Sequence, residues 1–214
     1  MAARIEAGTP LVHLVEGLAD NKLFLGRRYA EWCTAAPTLE SAVAAAAMAQ
    51  EEIGHARGLY PLLRTLVGDS PETKPETRTT FRPAGFLQEP FAGWTDFVAA
   101  NLLFDTALTV VLEAARGSTE SDLGVRSRRI LEEEPLHWLH AEGWTKRLAK
   151  RGGGVQRALQ ESLDRVTPDT LGWFAAAAPE LAETGVLDAQ ACALRGSFTL
   201  RVNYVLEPAG LVRL

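Results

Sequence analysis

The sequence predicts an all-α protein, a four-helix bundle followed by shorter C-terminal helices. Three observations predict it. Long stretches repeat apolar residues three and four apart. Breaks containing proline, glycine and small polar residues separate those stretches. A Glu-x-x-His step at Glu52 and His55 returns at Glu134 and His137, each time after a stretch with an acid in its apolar middle, Asp20 and Asp105.

Leu11 to Cys33 reads as the first helix, with Leu11, Leu14, Val15, Leu18, Leu23 and Leu25 as its apolar stripe. Ala35-Ala36-Pro37-Thr38 breaks it. Thr38 is a candidate N-cap for the second helix, with Ser41 competing for that place and Glu40 in the first turn. The second helix runs to about Val67, and its alanines at 44–47 allow close approach of a neighbour. Residues 68–93 carry Pro71, Pro75, Pro83 and Pro90 and are longer than neighbouring helices need. They read as the crossover connection of a bundle, with a disordered linker as the alternative. Trp94 to Arg116 is the third helix. The fourth runs from about Asp122 to Arg151, with a kink or bulge expected at Pro135. Beyond Gly152-Gly153-Gly154, helices are predicted over Val155–Val166, Asp169–Glu183 and Asp188 to about Tyr204. The whole is expected as one domain over 1–214, a core bundle over about 10–151 and an extension over about 152–214.

Composition narrows the class. The chain has 214 residues, a formal net charge of −5, 47% apolar and 23% charged residues. An acidic chain without a basic stripe argues against nucleic-acid binding. Lys146, Arg147, Lys150 and Arg151 sit at a helix end, where cations complement the helix dipole. Ala42 to Ala49 is too short to span a bilayer, and no secretory leader is read at the N-terminus. Cys33 and Cys192 have no ligand or disulfide spacing and are expected as buried thiols. A cytoplasmic location fits.

Residues three apart share a helix face, so each Glu-x-x-His can offer a carboxylate and an imidazole to one ion. Asp20 to Glu52 and Asp105 to Glu134 span about 32 and about 29 residues, enough to go along one helix and return along the next to the same height. Each half then forms a two-helix hairpin. Together they place Asp20, Glu52, His55, Asp105, Glu134 and His137 around one point, the inward-facing ligand scheme of a ferritin-like dimetal protein. Glu52 and Glu134 would bridge two metals, His55 and His137 would bind one each, and Asp20 and Asp105 would be terminal ligands. Four carboxylates offset the charge of two divalent irons, and two neutral imidazoles bind without adding charge. Manganese suits the same set. No catalytic group beyond these ligands is expected. Glu51, Glu132 and Glu133 read as a solvated face or as supports for the ligands. His13 reads as a surface or core-edge residue, and the five tryptophans as core.

The runs Leu18-Ala19-Asp20-Asn21-Lys22-Leu23, Gly26-Arg27-Arg28-Tyr29-Ala30-Glu31-Trp32-Cys33 and Ala36-Pro37-Thr38-Leu39-Glu40 resemble the C-type chain of the phenylacetyl-CoA epoxidase family of phenylacetate catabolism. Ile53-Gly54-His55-Ala56-Arg57, Phe104-Asp105, Glu142-Gly143-Trp144 and the stretch from Leu187 to Pro208 continue the similarity. The resemblance implies a ferritin-like fold within a multicomponent oxygenase. There, the di-iron site lies in an A-type subunit, and the C-type chain pairs with it and has generally lost the ligands. Both Glu-x-x-His steps are present here, as in an A-type chain. The leading expectation is therefore an oxygen-activating di-iron monooxygenase component. It would be fed by a separate reductase, act on an acyl-CoA or other small organic substrate, and form a homodimer or a heterodimer with an A-type subunit. The competing expectations are a non-catalytic structural subunit and a ferroxidase or peroxide scavenger.

Overall fold

Apolar stripes at helical spacing need a partner surface, and this chain meets that need by packing helix on helix. A computed structural model describes residue 6 and residues 8–214; residues 1–5, where a leader is not expected, lie outside the described residues. Among the described residues there are eight helices and no strand, an all-α bundle as the periodicity predicts. They are α1 (Pro10–Ala30), α2 (Leu39–Val67), α3 (Trp94–Ala114), α4 (Ser121–Ile130), α5 (Glu134–Lys150), α6 (Gly153–Trp173), α7 (Pro179–Glu183) and α8 (Ala191–Leu206).

The first helix is shorter than expected and closes at Ala30. It pairs with α2 as a hairpin. The two approach closely at Gly26, where a Cβ would come within 2.8 Å of Ile53 Cγ1. Thr38 caps α2 by accepting from Ser41 N, and the Ser41 hydroxyl in turn accepts from Thr38 N. The two residues that compete for the cap in the sequence thus share it. The connection over 68–93 is ordered by short 3-10 turns at Pro71–Thr73 and Gly85–Leu87. It lies along α1, tied there by Arg82 N to Asp20 Oδ2 (2.9 Å) and Ala84 N to Asn21 Oδ1 (2.8 Å).

Helix α3 is long and apolar enough to cross a membrane, but 94% of its most apolar window is buried inside the protein. Its middle, Ala100–Asp105, widens into a π-helical stretch, a device common beside functional sites. The single fourth helix expected from the sequence is two helices. A turn at Leu131–Glu133 separates α4 from α5, and Pro135 falls in the first turn of α5. In mid-helix its ring would clash and one backbone bond would be lost; in a first turn neither cost arises.

The reverse departure occurs further on. Residues expected as two helices over Val155–Val166 and Asp169–Glu183 form the continuous α6, which runs through Pro168, and then the short α7. Pro168 is exposed, so water can satisfy the carbonyl it leaves unpaired. Helices α6 and α8 pack on α3. Cys33 is half-buried and Cys192 exposed, which corrects the expectation of two buried thiols.

Candidate functional site

Leu18, Lys22, Leu25 and Tyr29 follow one another at four-, three- and four-residue steps, so they form one face of α1, and all four are fully buried. That face meets α2, α3 and α5. Lys22 Nζ donates to Glu52 Oε1 of α2 (2.8 Å), to Asp105 Oδ1 of α3 (2.9 Å) and to Glu134 Oε1 of α5 (2.7 Å). One ammonium thus uses its three donors on three carboxylates from three helices. Thr109 donates to Glu134 Oε2 at 2.8 Å, and Tyr29 and Asn101 approach Asp105 Oδ2 at 3.4 and 3.3 Å.

Both expected histidines lie at this point. His137 Nδ1 is 2.8 Å from Asp105 Oδ2, and its Nε2 is 2.8 Å from Glu51 Oε2. His55 Nε2 is 2.7 Å from Glu133 Oε2. A carboxylate only accepts, so His55 carries its proton on Nε2. Its Nδ1 and the outer oxygen of Glu52, Oε2, are buried without a hydrogen-bond partner. Glu51 and Glu133, read from sequence as a solvated face or supports, are the groups that orient the two rings.

The sixth expected residue is elsewhere. Asp20 is buried, but it accepts from Tyr60 Oη (2.7 Å), Arg78 Nη2 (3.0 Å) and Arg82 N. It anchors the 68–93 connection to α1. Residues two apart on a helix point about 200° apart, so Asp20 and Lys22 cannot both face the centre. The expectation of Asp20 as a terminal ligand beside the other five does not match this placement, and Lys22 stands where that carboxylate was expected.

The electrostatics follow from burial. Desolvation alone would push the Lys22 ammonium down, but the charges of Asp105, Glu134 and Glu52 outweigh it and hold it well above its usual range. Burial and the neighbouring Asp105 charge push the Glu52 carboxyl up to about 8. Burial also raises Glu134, whereas Asp105 lies well below the usual range: burial opposes its ionisation but Lys22 and His137 override it. His137 is pushed up to about 12, because the Asp105 charge and hydrogen bond overcome its desolvation. His55 is pushed down to about 2 by burial and by the Lys22 and His137 charges. Lys22 and His137, both held protonated, thus set two cations among these acids.

The donor set can be tested against a metal on these contacts. Glu52, Asp105, Glu134 and His137 are all buried, with ligand atoms within 4.8 Å of one another, so the group could hold a metal ion. A two-iron cage is a different demand. In this arrangement it lacks its fourth carboxylate, and Lys22 Nζ holds one oxygen of each remaining acid. The six side chains as they stand do not fit two irons.

Fold and site together define an all-α bundle protein with a buried carboxylate and histidine group whose acids are bridged by a lysine. Comparison with known proteins narrows this. Residues 2–213 match the family described as "Phenylacetic acid catabolic protein", and the chain belongs to that family. It is 26% identical over 152 residues to the C-type chain of the 1,2-phenylacetyl-CoA epoxidase of Escherichia coli (strain K12), covering 70% of this chain and 61% of that protein. The chain thus matches less than two thirds of that relative's length.

Lys22 is the residue that motif reading misses. The signal is present in its spacing from Leu18 and Leu25, which sets a cation on an apolar face.

Proposed function

We propose that this chain is a C-type, non-oxygenating subunit of a phenylacetyl-CoA epoxidase-like assembly, folded as one ferritin-like domain in the cytoplasm and paired with an A-type catalytic partner. Lys22 is its built-in counter-ion, taking the part that metal takes in the catalytic relative. The single observation that carries this reading is Lys22 Nζ, fully buried and within 2.9 Å of carboxylates from three other helices. Kinship with the C-type chain of an epoxidase supports it. An ammonium buried among three acids is a stable endpoint: removing one member of such a group strands the others in a dry interior. The chain would then contribute a rigid partner surface, while the substrate thioester and the reductase meet the A-type subunit.

The second reading is a di-iron oxygenase component. It rests on the buried Glu52, Asp105, Glu134 and His137 group and on the bare Nδ1 of His55. It needs Lys22 to withdraw and His137 to lose a proton that Asp105 holds in place. If it formed, the metal pair would supply oxygen activation, held by Glu52, His55, Asp105, Glu134 and His137.

Metal analysis separates the two. The chain, expressed with iron supplementation and purified without chelator, is expected to be folded with substoichiometric iron and manganese, and to co-purify with a co-expressed A-type subunit. Lys22→Glu restores a fourth carboxylate and is expected to acquire metal. Two irons per wild-type chain, lost in His55→Ala, would overturn the proposal in favour of the oxygenase reading.

A further inference from the structure

Helix α8 (Ala191–Leu206) is apolar on its outer side as well as its inner one. Leu194, Phe198, Val202 and Val205 are buried against the bundle. The opposite side carries Ala193, Gly196, Ser197, Leu200 and Tyr204 at helical spacing, all of them exposed. Leu200 is 76% and Tyr204 70% exposed. The outer face is also graded: small residues fill its first half and bulky ones its second. Gly196 has no explanation within the chain. Its φ is not positive, and a Cβ there would meet nothing within 4 Å. A glycine inside a helix is destabilising relative to alanine, so the close approach it permits is to a surface outside this chain.

The ends of α8 add a second observation, because both run against the helix dipole. At the N-terminus Gln190 makes no side-chain cap bond, and the first turn holds no acid. At the C-terminus the cap residue is an acid, Glu207, and the last turn holds no base. An anion is favoured at the first of these ends and disfavoured at the second. The one cation near Glu207 is Arg213, at 3.4 Å, with both side chains more than half exposed.

We propose that α8 is the seam of a two-fold dimer with a second copy of this chain, the two α8 helices lying antiparallel and crossing at Leu200. In that arrangement Leu200 meets its own counterpart, and residues equally far before and after it meet each other. Tyr204 of one copy lies over Gly196 and Ser197 of the other, so each bulky half fills a small half. Glu207 of one copy falls beside Ala193 of the other, in the uncapped first turn, where its charge complements the dipole. Each contact occurs twice by symmetry, as a self-complementary patch requires. A different partner would need the same gradient in reverse order, and α8 supplies it to itself. This inference rests on α8 alone and holds whichever role the buried acids have.

Sedimentation velocity of the full chain tests it. A seam of one helix per copy is small, so wild type is expected to pass from monomer to dimer across about 1–500 μM. Leu200→Glu sets like charges on the two-fold axis and is expected to weaken the dimer at least about tenfold. Gly196→Leu is expected to weaken it as much without lowering the thermal midpoint of the monomer, because leucine is the better helix former. Loss of the dimer in that variant is then not loss of the fold. Leu200→Cys, in a chain with Cys33→Ser and Cys192→Ser, is expected to be joined to its counterpart by a short bismaleimide. Cys192 of the wild type is not, since antiparallel pairing sets the two copies of it about 24 Å apart along the helix axis. A wild-type chain that stays monomeric throughout, a dimer that survives both Leu200→Glu and Gly196→Leu, or linkage through Cys192 and not through position 200 would each overturn the proposal. So would a Leu200→Glu variant that still self-associates but no longer holds a co-expressed A-type subunit, which would assign α8 to that partner.

Discussion

The two halves of this chain carry the same motif and use it in opposite ways. In the half made by α1 and α2, the acid of the first helix, Asp20, turns outward to Arg78, and the lysine two residues on turns inward. In the half made by α3, α4 and α5, the corresponding acid, Asp105, faces the centre and holds both Lys22 and a histidine. The two Glu-x-x-His steps diverge as well. His137 lies between Asp105 and Glu51 and is held protonated, with its pKa near 12; His55 has one carboxylate on Nε2 and the cationic pair nearby, and is held neutral, with its pKa near 2. For the two histidines the repeated spacing fixes where the side chain is, while its protonation is set by neighbours that the repeat does not include. The second half supplies two of the three acids around Lys22, and the first supplies Lys22 itself with the third, Glu52.

Lys22→Met is expected to break this complementarity most severely. It leaves three buried carboxylates without their shared cation and should cost about 3–5 kcal/mol in chemical denaturation. Asp105→Asn comes next. It removes one acceptor of Lys22 and the anion that charges His137, with a loss of roughly 3 kcal/mol and a marked fall in the His137 pKa by NMR titration. Asp20→Asn should leave that pKa unmoved, since Asp20 serves Arg78 instead. If the two variants shift His137 equally, the halves are not divided as described.

The pH response sharpens the same contrast. Glu52 and His137 both have folded pKa values above their ordinary ones, 4.5 rising to about 8 and 6.5 rising to about 12. Each then binds protons more tightly when folded, so each loses stability as pH rises between those two values. Asp105 and His55 are shifted down, and both lose stability on acidification. Stability is thus expected to fall on going from pH 6.5 to 8, by about 2 kcal/mol from Glu52 alone. Glu52→Gln should flatten this slope in urea midpoints measured across the range. The smallest effect is expected at Gly26→Ala, where a methyl meets Ile53 Cγ1 at 2.8 Å and Glu52 Cβ at 3.0 Å and costs about 1 kcal/mol by overpacking.

Much of the architecture is legible in the sequence because it rests on local chemistry. The stripe on α1, the Thr38 cap and the crossover over 68–93 each follow from spacing or from the residues themselves. The departures lie where proline's effect depends on surroundings: Pro135 starts a helix, and Pro168 rides inside one because its face is wet. At the site, five of the six chosen residues meet, since three-residue steps and hairpin lengths are geometric facts. Asp20 is the exception because a motif matches residue type, whereas the helix phase that buries Leu18 and Leu25 selects Lys22 for the inward face.

A lysine codon becomes a glutamate codon by a single base change. The chain therefore stands one point mutation from an interior with four carboxylates at the same depth, flanked by the same histidines. Among homologous chains, a duplicated gene could cross between the two states in either direction without rebuilding its scaffold, and the position now held by Lys22 is where such a crossing would be recorded.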